Sequence, residues 1–498
     1  MSVVMSVAIS FVNFYHQVRR GCKLRFSALL LSMLLANAIA YLPVANASNV
    51  SPATRVSFTL TLEKAIYLAV SADPWLNQSQ YREQASLAKG EAAMSFSDPV
   101  ISLGVQNLPT DSWDFNQENM TQLRLGVSQP LPRKGERAIR KSQFDLTAGK
   151  QPLLRLDRSA QLKRQVSLLW LEAFRAQQVI QFIEADRALF EKLVDSSKAS
   201  YGSVSGKVKQ QDIIAAQLEL LQLDDKLAAE QQKYLAALGA LFEYLPSDVV
   251  GLEYLSIQLP SQLPLVEFSG RNIAKLARQK LTEQSLTGQV LGNNSHIQAS
   301  LIQRFLTHPK IRVQGIDEKV AQQGVKLAKT QYQPKWQLNA SYGYRDDADN
   351  RFINESNDGE RADFFSVGVS VEVPLFTEKR QDNWLLAATA ESEAIKTEQR
   401  LLLQKMLGET EKELANVAGL KKRQALYQSQ ILEQTLQQSK ATLTAYTNAN
   451  GSFTDVVRAR IAELNAKVTA LTIDVELLKA VSRLNYFFTT TTENTASE

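Results

Sequence analysis

Few residues in this sequence could carry covalent chemistry. The 498 residues include three histidines and one cysteine. Cys22 lies near the start, and beyond residue 47 the only histidines are His296 and His308, with Met94, Met120 and Met406 as the methionines. A thiolate or imidazole metal cluster needs more ligands than that. No Ser/His/Asp or Cys/His set can be assembled, and no glycine-rich phosphate loop occurs. The notable ionisable residues are two acids that follow glycine-containing turns. YGSVSGK at 201–207 precedes Asp212-Ile213-Ile214, and TNANGS at 447–452 precedes Asp455-Val456-Val457. Ser452 and Asp455 have the spacing of a capping box, in which the acid stabilises a helix start. Asp212 reads as a solvated acid at a helix start and Tyr446 as a packed tyrosine. Gly202, Gly206 and Gly451 read as turn residues, since glycine tolerates positive φ.

The elements that hold these turns derive from a stretch that occurs twice. LRLGVSQPLPRKGER at 123–137 aligns without a gap on FSVGVSVEVPLFTEK at 365–379. Gly126 falls on Gly368, Ser128 on Ser370, Pro132 on Pro374 and Glu136 on Glu378. Each copy begins with apolar residues alternating with polar ones, the period of a strand with one apolar face. A proline then ends the strand, and a long helical run follows.

The first residues read as a secretory leader. Arg19, Arg20, Lys23 and Arg25 precede an apolar run at 26–40, and Ala45-Asn46-Ala47 is a small-x-small cleavage site. The run is about 15 residues, short of the ~20 a spanning helix needs. The signal peptide is therefore 1–47. The leader holds four of the 56 basic residues and no acid, which leaves 52 basic against 51 acidic. A nucleic-acid partner is not indicated. The one cysteine is also in the leader, so the exported chain has no disulfide, thiolate site or lipid-bearing cysteine.

In order, 61–71 reads as a short helix, 74–96 as a second helix and 99–108 as a strand. A polar loop at 109–119 leads to the first motif copy, so that 99–132 is a hairpin. Helix continues to 200, with Pro152 expected to kink it. After the turn comes a seven-residue stripe, Ile213, Leu220, Leu227, Tyr234 and Leu241, with a second one at Ala216, Leu223 and Ala237. Such stripes specify coiled-coil packing. Residues 48–245 form a first repeat, and 246–296 a connector with a helix at 271–286. A second repeat occupies 297–488, with His308-Pro309 in the place of Asp73-Pro74. It contains a hairpin at 334–376 and a proline-free helical run from 378 to 446. Its last helix carries Val457, Ile461, Leu464, Val468, Leu471, Val475 and Leu478. Residues 489–498 read as a disordered tail.

Strands of about ten residues can cross a bilayer when tilted. Four cannot close a barrel, and an open edge in lipid is prohibitive. They must be shared between subunits: three chains supply twelve strands, and the same symmetry assembles the helices into a tube. The sequence resembles the TolC family of outer-membrane efflux channels over nearly the whole exported chain. The resemblance rests on the repeat, the strand-proline-helix motif and the Asp-aliphatic-aliphatic steps after the turns. Residues 98–136 look most like the CzcC-like branch that serves heavy-metal efflux pumps.

The resemblance implies an α+β membrane protein, a homotrimer with a twelve-stranded outer-membrane β-barrel continued by a long periplasmic coiled-coil barrel. It implies a passive export duct, not an enzyme, without cofactor. Its partners are outer-membrane lipid, a periplasmic adaptor and an inner-membrane pump of the RND type. Three copies of Asp455 form an anionic ring at the narrowest point, favouring cations. The family's second carboxylate falls on Arg458, which opposes that ring. Asp212 and Tyr446 fall where relatives tie neighbouring coiled coils shut, with the basic partner's place taken by Gly451. Gly202, Gly206, Gly451, Ser452 and Phe453 lie at the tips, where the adaptor docks. Drug efflux and type I protein secretion are alternative duties. A periplasmic adaptor is disfavoured, since adaptors show one helical hairpin flanked by small β-rich domains. A periplasmic enzyme lacks a catalytic constellation.

Overall fold

The computed structural model describes residues 58–201, 210–246, 257–268, 294–347, 361–448 and 450–490. All belong to one compact unit, Ser57–Glu498. The leader at 1–47, the turn glycines Gly202 and Gly206, the connector helix at 271–286 and the tail from 491 lie outside the described residues.

Strand β1 (Phe58–Thr59) leads into helix α1 (Leu62–Ser71), and α2 (Pro74–Met94) follows. Thr61 Oγ1 accepts from Lys64 N at 3.3 Å and caps α1. Asp73 caps α2, with Pro74 at its first position. Next come β2 (Val100–Gln106) and β3 (Gln122–Leu131). β2 stops short of the expected residue 108 because Asn107 turns with φ 56°. Its Nδ2 donates to the Met120 carbonyl at 3.0 Å and closes the loop.

Helix α3 (Glu136–Tyr201) is 66 residues long, about 100 Å at 1.5 Å per residue, and runs through Pro152 without ending. Gly135, at φ +80°, makes the turn into it. α4 (Gln210–Phe242) returns alongside. The two-residue β4 (Ile257–Gln258) pairs in parallel with β1.

The same succession then recurs. Helices α5 (Asn294–Leu306) and α6 (Pro309–Thr330) precede strands β5 (Lys335–Tyr344) and β6 (Phe364–Glu372). α5 begins inside the segment read as connector. Helix α7 (Gln381–Leu426) starts three residues later than the expected Glu378. Position 377 is a threonine where the first copy has Gly135, so the positive-φ turn is replaced by a longer one closed by Asp382 N on the Thr377 carbonyl at 3.1 Å. α7 passes through one π-helical turn, Tyr427–Ile431, into α8 (Leu432–Thr447). α9 (Phe453–Phe487) is the last helix.

The long strands form one antiparallel sheet in the order β2-β3-β5-β6, so each succession contributes one hairpin. Its register aligns like with like. Ile101, Val127, Ala340 and Val367 form one row, and Leu103, Leu125, Tyr342 and Phe365 the next. On the other face Ser102, Gly126, Ser341 and Ser366 line up. Gly126 leaves room for the Ser102 hydroxyl, whose Oγ lies 2.6 Å from where a Cβ would stand.

The helices have two apolar cores. One is built on Trp170, which stacks on Phe174 at 5.4 Å and donates from Nε1 to the Leu60 carbonyl at 2.9 Å. It takes in the expected stripes from Ala216 onward, without Ile213: Ala216, Leu223, Ala237 and Leu241 are buried, and Leu220, Leu227 and Tyr234 pack against them. Val457, Leu464, Leu471 and Val475 come from α9. The second gathers Phe305, Ile311, Met406, Tyr486, Phe487 and Phe488. No helix among the described residues is long and apolar enough to cross a membrane.

Candidate functional site

Two places are candidate sites: the turn between α8 and α9, and the sheet. At the turn, Asn448 N bonds the Thr444 carbonyl at 3.0 Å and Asn450 N bonds the Ala445 carbonyl at 2.9 Å. Gly451 then passes close to the end of α8. A Cβ there would lie 2.9 Å from Tyr446 N and 3.1 Å from the Ala445 carbonyl carbon, which is why this position is glycine. Ser452 Oγ accepts from Thr454 N at 3.2 Å and caps α9. Phe453 is buried and meets the half-buried Tyr446 ring edge-on at 5.7 Å. The turn is thus pinned from inside by an aromatic pair.

Asp455 and Arg458 stand one helical turn apart and are exposed. The reciprocal half of the capping box is not made: among the described residues Asp455 has no hydrogen bond or ion pair. The acid therefore faces solvent with its charge uncompensated by a contact. Asp212 lies in the first turn of α4; its side chain is outside the described residues. Of the four residues nominated as a gate, Tyr446 joins Phe453, while Asp455 and Arg458 share a bare face.

Behind that face lies a polar cluster that sequence reasoning missed. Arg460 reaches Asp186 of α3 at 3.0 Å and Glu463 at 2.7 Å, and Lys467 reaches Glu463 at 2.7 Å. Burial pushes the Glu463 carboxyl up, but its bonds to Lys467 and Ser439 and the nearby Arg460 charge outweigh that and hold it below the ordinary value. Among the described residues, Asp186 Oδ2 and Arg460 Nε have no hydrogen-bond partner. A second cluster joins three helices farther along. Arg175 bonds Glu172 and Glu230, each at 3.0 Å, and Lys479 of α9 bonds Glu172. The i, i+3, i+7 spacing of Arg460, Glu463 and Lys467 was the available signal. Glu230 was marked by standing in the stripe of Ala216, Leu223 and Ala237.

Among the described residues, no other element covers the apolar face of the sheet. Phe365 and Val367 are each 72% exposed, and Ile101 and Leu103 each 70%. Both edges, β2 and β6, lack a partner strand among the described residues. In water such a face and such edges would drive aggregation; in a bilayer the face is what lipid requires. Among the described residues no group of three or more His, Cys, Asp or Glu could hold a metal ion.

A bare four-stranded sheet joined to paired helices of this length is the fold of outer-membrane channels. The outer membrane protein VceC of Vibrio cholerae is similar, with a TM-score of 0.65 and 15% identity over 86% of this chain and 96% of that one. The Campylobacter jejuni outer membrane channel CmeC has a TM-score of 0.65 and 13% identity over 86% and 85%. CusC, whose structures describe transmembrane channel formation, has a TM-score of 0.61 and 14% identity over 86% and 91%. Residues 301–486 match the outer membrane efflux protein family. No match is found among curated proteins.

Proposed function

We propose that this protein is the outer-membrane duct of an efflux system, a homotrimer that passes cargo delivered by an inner-membrane pump through a periplasmic adaptor. The observation that carries this is the sheet: four strands, one apolar face without a cover, and two open edges. Three copies joined edge to edge make twelve strands and leave no edge in lipid. The helices support the same symmetry. Ile214, Leu218, Leu221 and Leu235 form an exposed stripe on α4, spaced for a second coiled-coil seam against a neighbouring copy. Energy comes from the pump, so the duct itself needs no catalytic group or cofactor. Asp455 and Arg458 line the constriction, and the turn at Gly451, Ser452 and Phe453, with its counterpart at Gly202 and Gly206, meets the adaptor. Within this reading, residues 98–136 favour the CzcC-like branch and heavy-metal cations as cargo.

Conductance of the purified trimer in a planar bilayer tests the duct. Discrete current steps are expected, with cation preference reduced by Asp455→Asn and increased by Arg458→Gln. A soluble monomer that fractionates with periplasmic proteins and gives no steps overturns the reading. Loss of zinc or cobalt tolerance on deletion, restored by the intact gene, tests the metal cargo; unchanged tolerance with lost drug resistance assigns drug efflux instead.

A further inference from the structure

His308 is fully buried, and both ring nitrogens are committed. Nδ1 accepts from Lys310 N at 3.2 Å and caps α6. Nε2 therefore carries the proton and donates to the Tyr486 carbonyl of α9 at 3.0 Å. The Tyr486 hydroxyl donates in turn to Asp157 of α3 at 2.9 Å, and the His308 ring meets the Tyr486 ring edge-on at 5.1 Å. One imidazole thus joins the start of α6 to the end of α9.

We infer that His308 is an acid-sensitive fastener at the α6–α9 contact: a second proton breaks its cap on α6 and leaves an uncompensated charge in the packed interior, and the contact opens to release that charge. A second proton can go only onto the Nδ1 lone pair, and that lone pair is the acceptor for Lys310 N. Once protonated, Nδ1–H faces the Lys310 N–H, donor against donor, and the cap is lost, while Nε2–H keeps its bond to the Tyr486 carbonyl; what strains the contact is the broken cap and a charge in a fully buried place. The surrounding groups do not favour the added charge. Asp157 is the acid that pulls toward the charged form, and its oxygens already accept from Tyr486 and from Gln161 at 2.7 Å. Against it stand Lys310 on the same helix and Arg164 of α3, whose guanidinium lies 4.6 Å from the centre of the Tyr486 ring. From α5, Arg304 bonds the Phe488 carbonyl at 3.4 Å. From α7, Lys405 and Glu409 line a cavity of about 330 Å³ with Arg164, Lys310 and Tyr486. Burial, the largest influence, together with Lys310 holds the imidazole below its ordinary pKa, against the opposing pull of the Tyr486 carbonyl and Asp157. Proton uptake is therefore accommodated by opening the contact until the ring reaches water. α6 ends at Thr330 and β5 begins at Lys335, so the fastener holds the helix that leads into the sheet. This inference goes beyond the export reading and does not depend on it.

Hydrogen exchange of the full-length protein from pH 7.5 to 5.5, corrected for the chemical exchange rate, tests it. In the wild type, opening around residues 305–314 should rise by up to about tenfold per pH unit below ~6.5, since each opening takes up one proton. His308→Asn keeps an acceptor for Lys310 N but cannot titrate in this range, and its opening should not change with pH. A flat wild-type profile, or the same slope in His308→Asn, overturns the inference. Imidazole ¹⁵N shifts of the wild type give a second reading that needs no variant. The neutral Nε2–H form should persist below pH 6 in the closed state; ordinary titration with protection intact overturns the fastener. Neither readout involves conductance, so its failure is separable from failure of the duct.

Discussion

Asp73 and His308 make the same contact with different chemistry. Each stands before a proline at the first position of a helix, and each accepts the backbone N–H two residues ahead at 3.2 Å, from Trp75 and Lys310 respectively. The second bond differs. Asp73 takes Arg158 Nε at 2.8 Å, an ion pair, whereas His308 donates to a carbonyl. Asp73→Asn keeps the cap and weakens the ion pair, and Asp73→Ala loses both. The cap alone is worth about 1 kcal/mol. Urea unfolding should therefore rank wild type above Asn and Asn above Ala; equal midpoints for the two variants would deny the cap any weight.

The cluster of Glu172, Arg175, Glu230 and Lys479 should behave as a buried network. Arg175→Met removes the cation between Glu172 and Glu230, leaving Glu230 only the exposed Lys233 at 2.8 Å, and is expected to cost about 1–3 kcal/mol. Adding Glu230→Leu completes the apolar stripe of Ala216, Leu223 and Ala237 and should recover most of that loss. Denaturant unfolding of the single and double variants checks it. The same cluster predicts an acid limit. Burial raises the Glu172 carboxyl, but its bond to Lys479 and the Lys479 and Arg175 charges win and leave it below the ordinary value. Its stabilisation is complete above the unfolded-state value of about 4.5 and is lost as pH falls through the folded value. Glu172→Gln should be less stable at neutral pH and show a flatter decline below pH 4.5.

Gly451 tests how tightly the turn is built. A Cβ would sit within 3.2 Å of three atoms of Ala445 and Tyr446, two of them backbone. Gly451→Ala should displace the turn and disturb the Tyr446–Phe453 contact at a cost of about 1–3 kcal/mol. Faster proteolysis confined to residues 445–455 is the expected readout, and a cleavage pattern like that of the wild type would argue against a close-packed turn.

The two faces of the sheet should respond oppositely to charge. Val369→Arg puts a cation on the bare apolar face, where a bilayer midplane costs about 2–4 kcal/mol. Ser366→Arg puts it on the row of small polar residues, where water is expected. Refolding into lipid vesicles should fail for the first and proceed for the second. The reverse result would turn the sheet inside out.

Much of this was legible in the chain because it rests on short-range physics. Period-two alternation in residues 365–371 and heptad spacing in 213–241 state which side of an element is apolar. Pro74, Pro309, Ser452 and Gly135 mark where helices begin, through missing donors, caps and positive φ. Those signals placed the strands and long helices, and they marked the turn at 447–452. They could not say that β3 pairs with β5, residues about 210 apart in sequence, because register is settled only when two apolar faces align. Nor could they find Asp186 beside Arg460, Glu230 beside Arg175, or Tyr486 on His308, since those partners come from different helices. By itself the sequence determined local conformation and which face of each element avoids water. The tertiary structure alone decided which charges meet in the interior, because such pairing depends on desolvation and on distances that no local pattern contains.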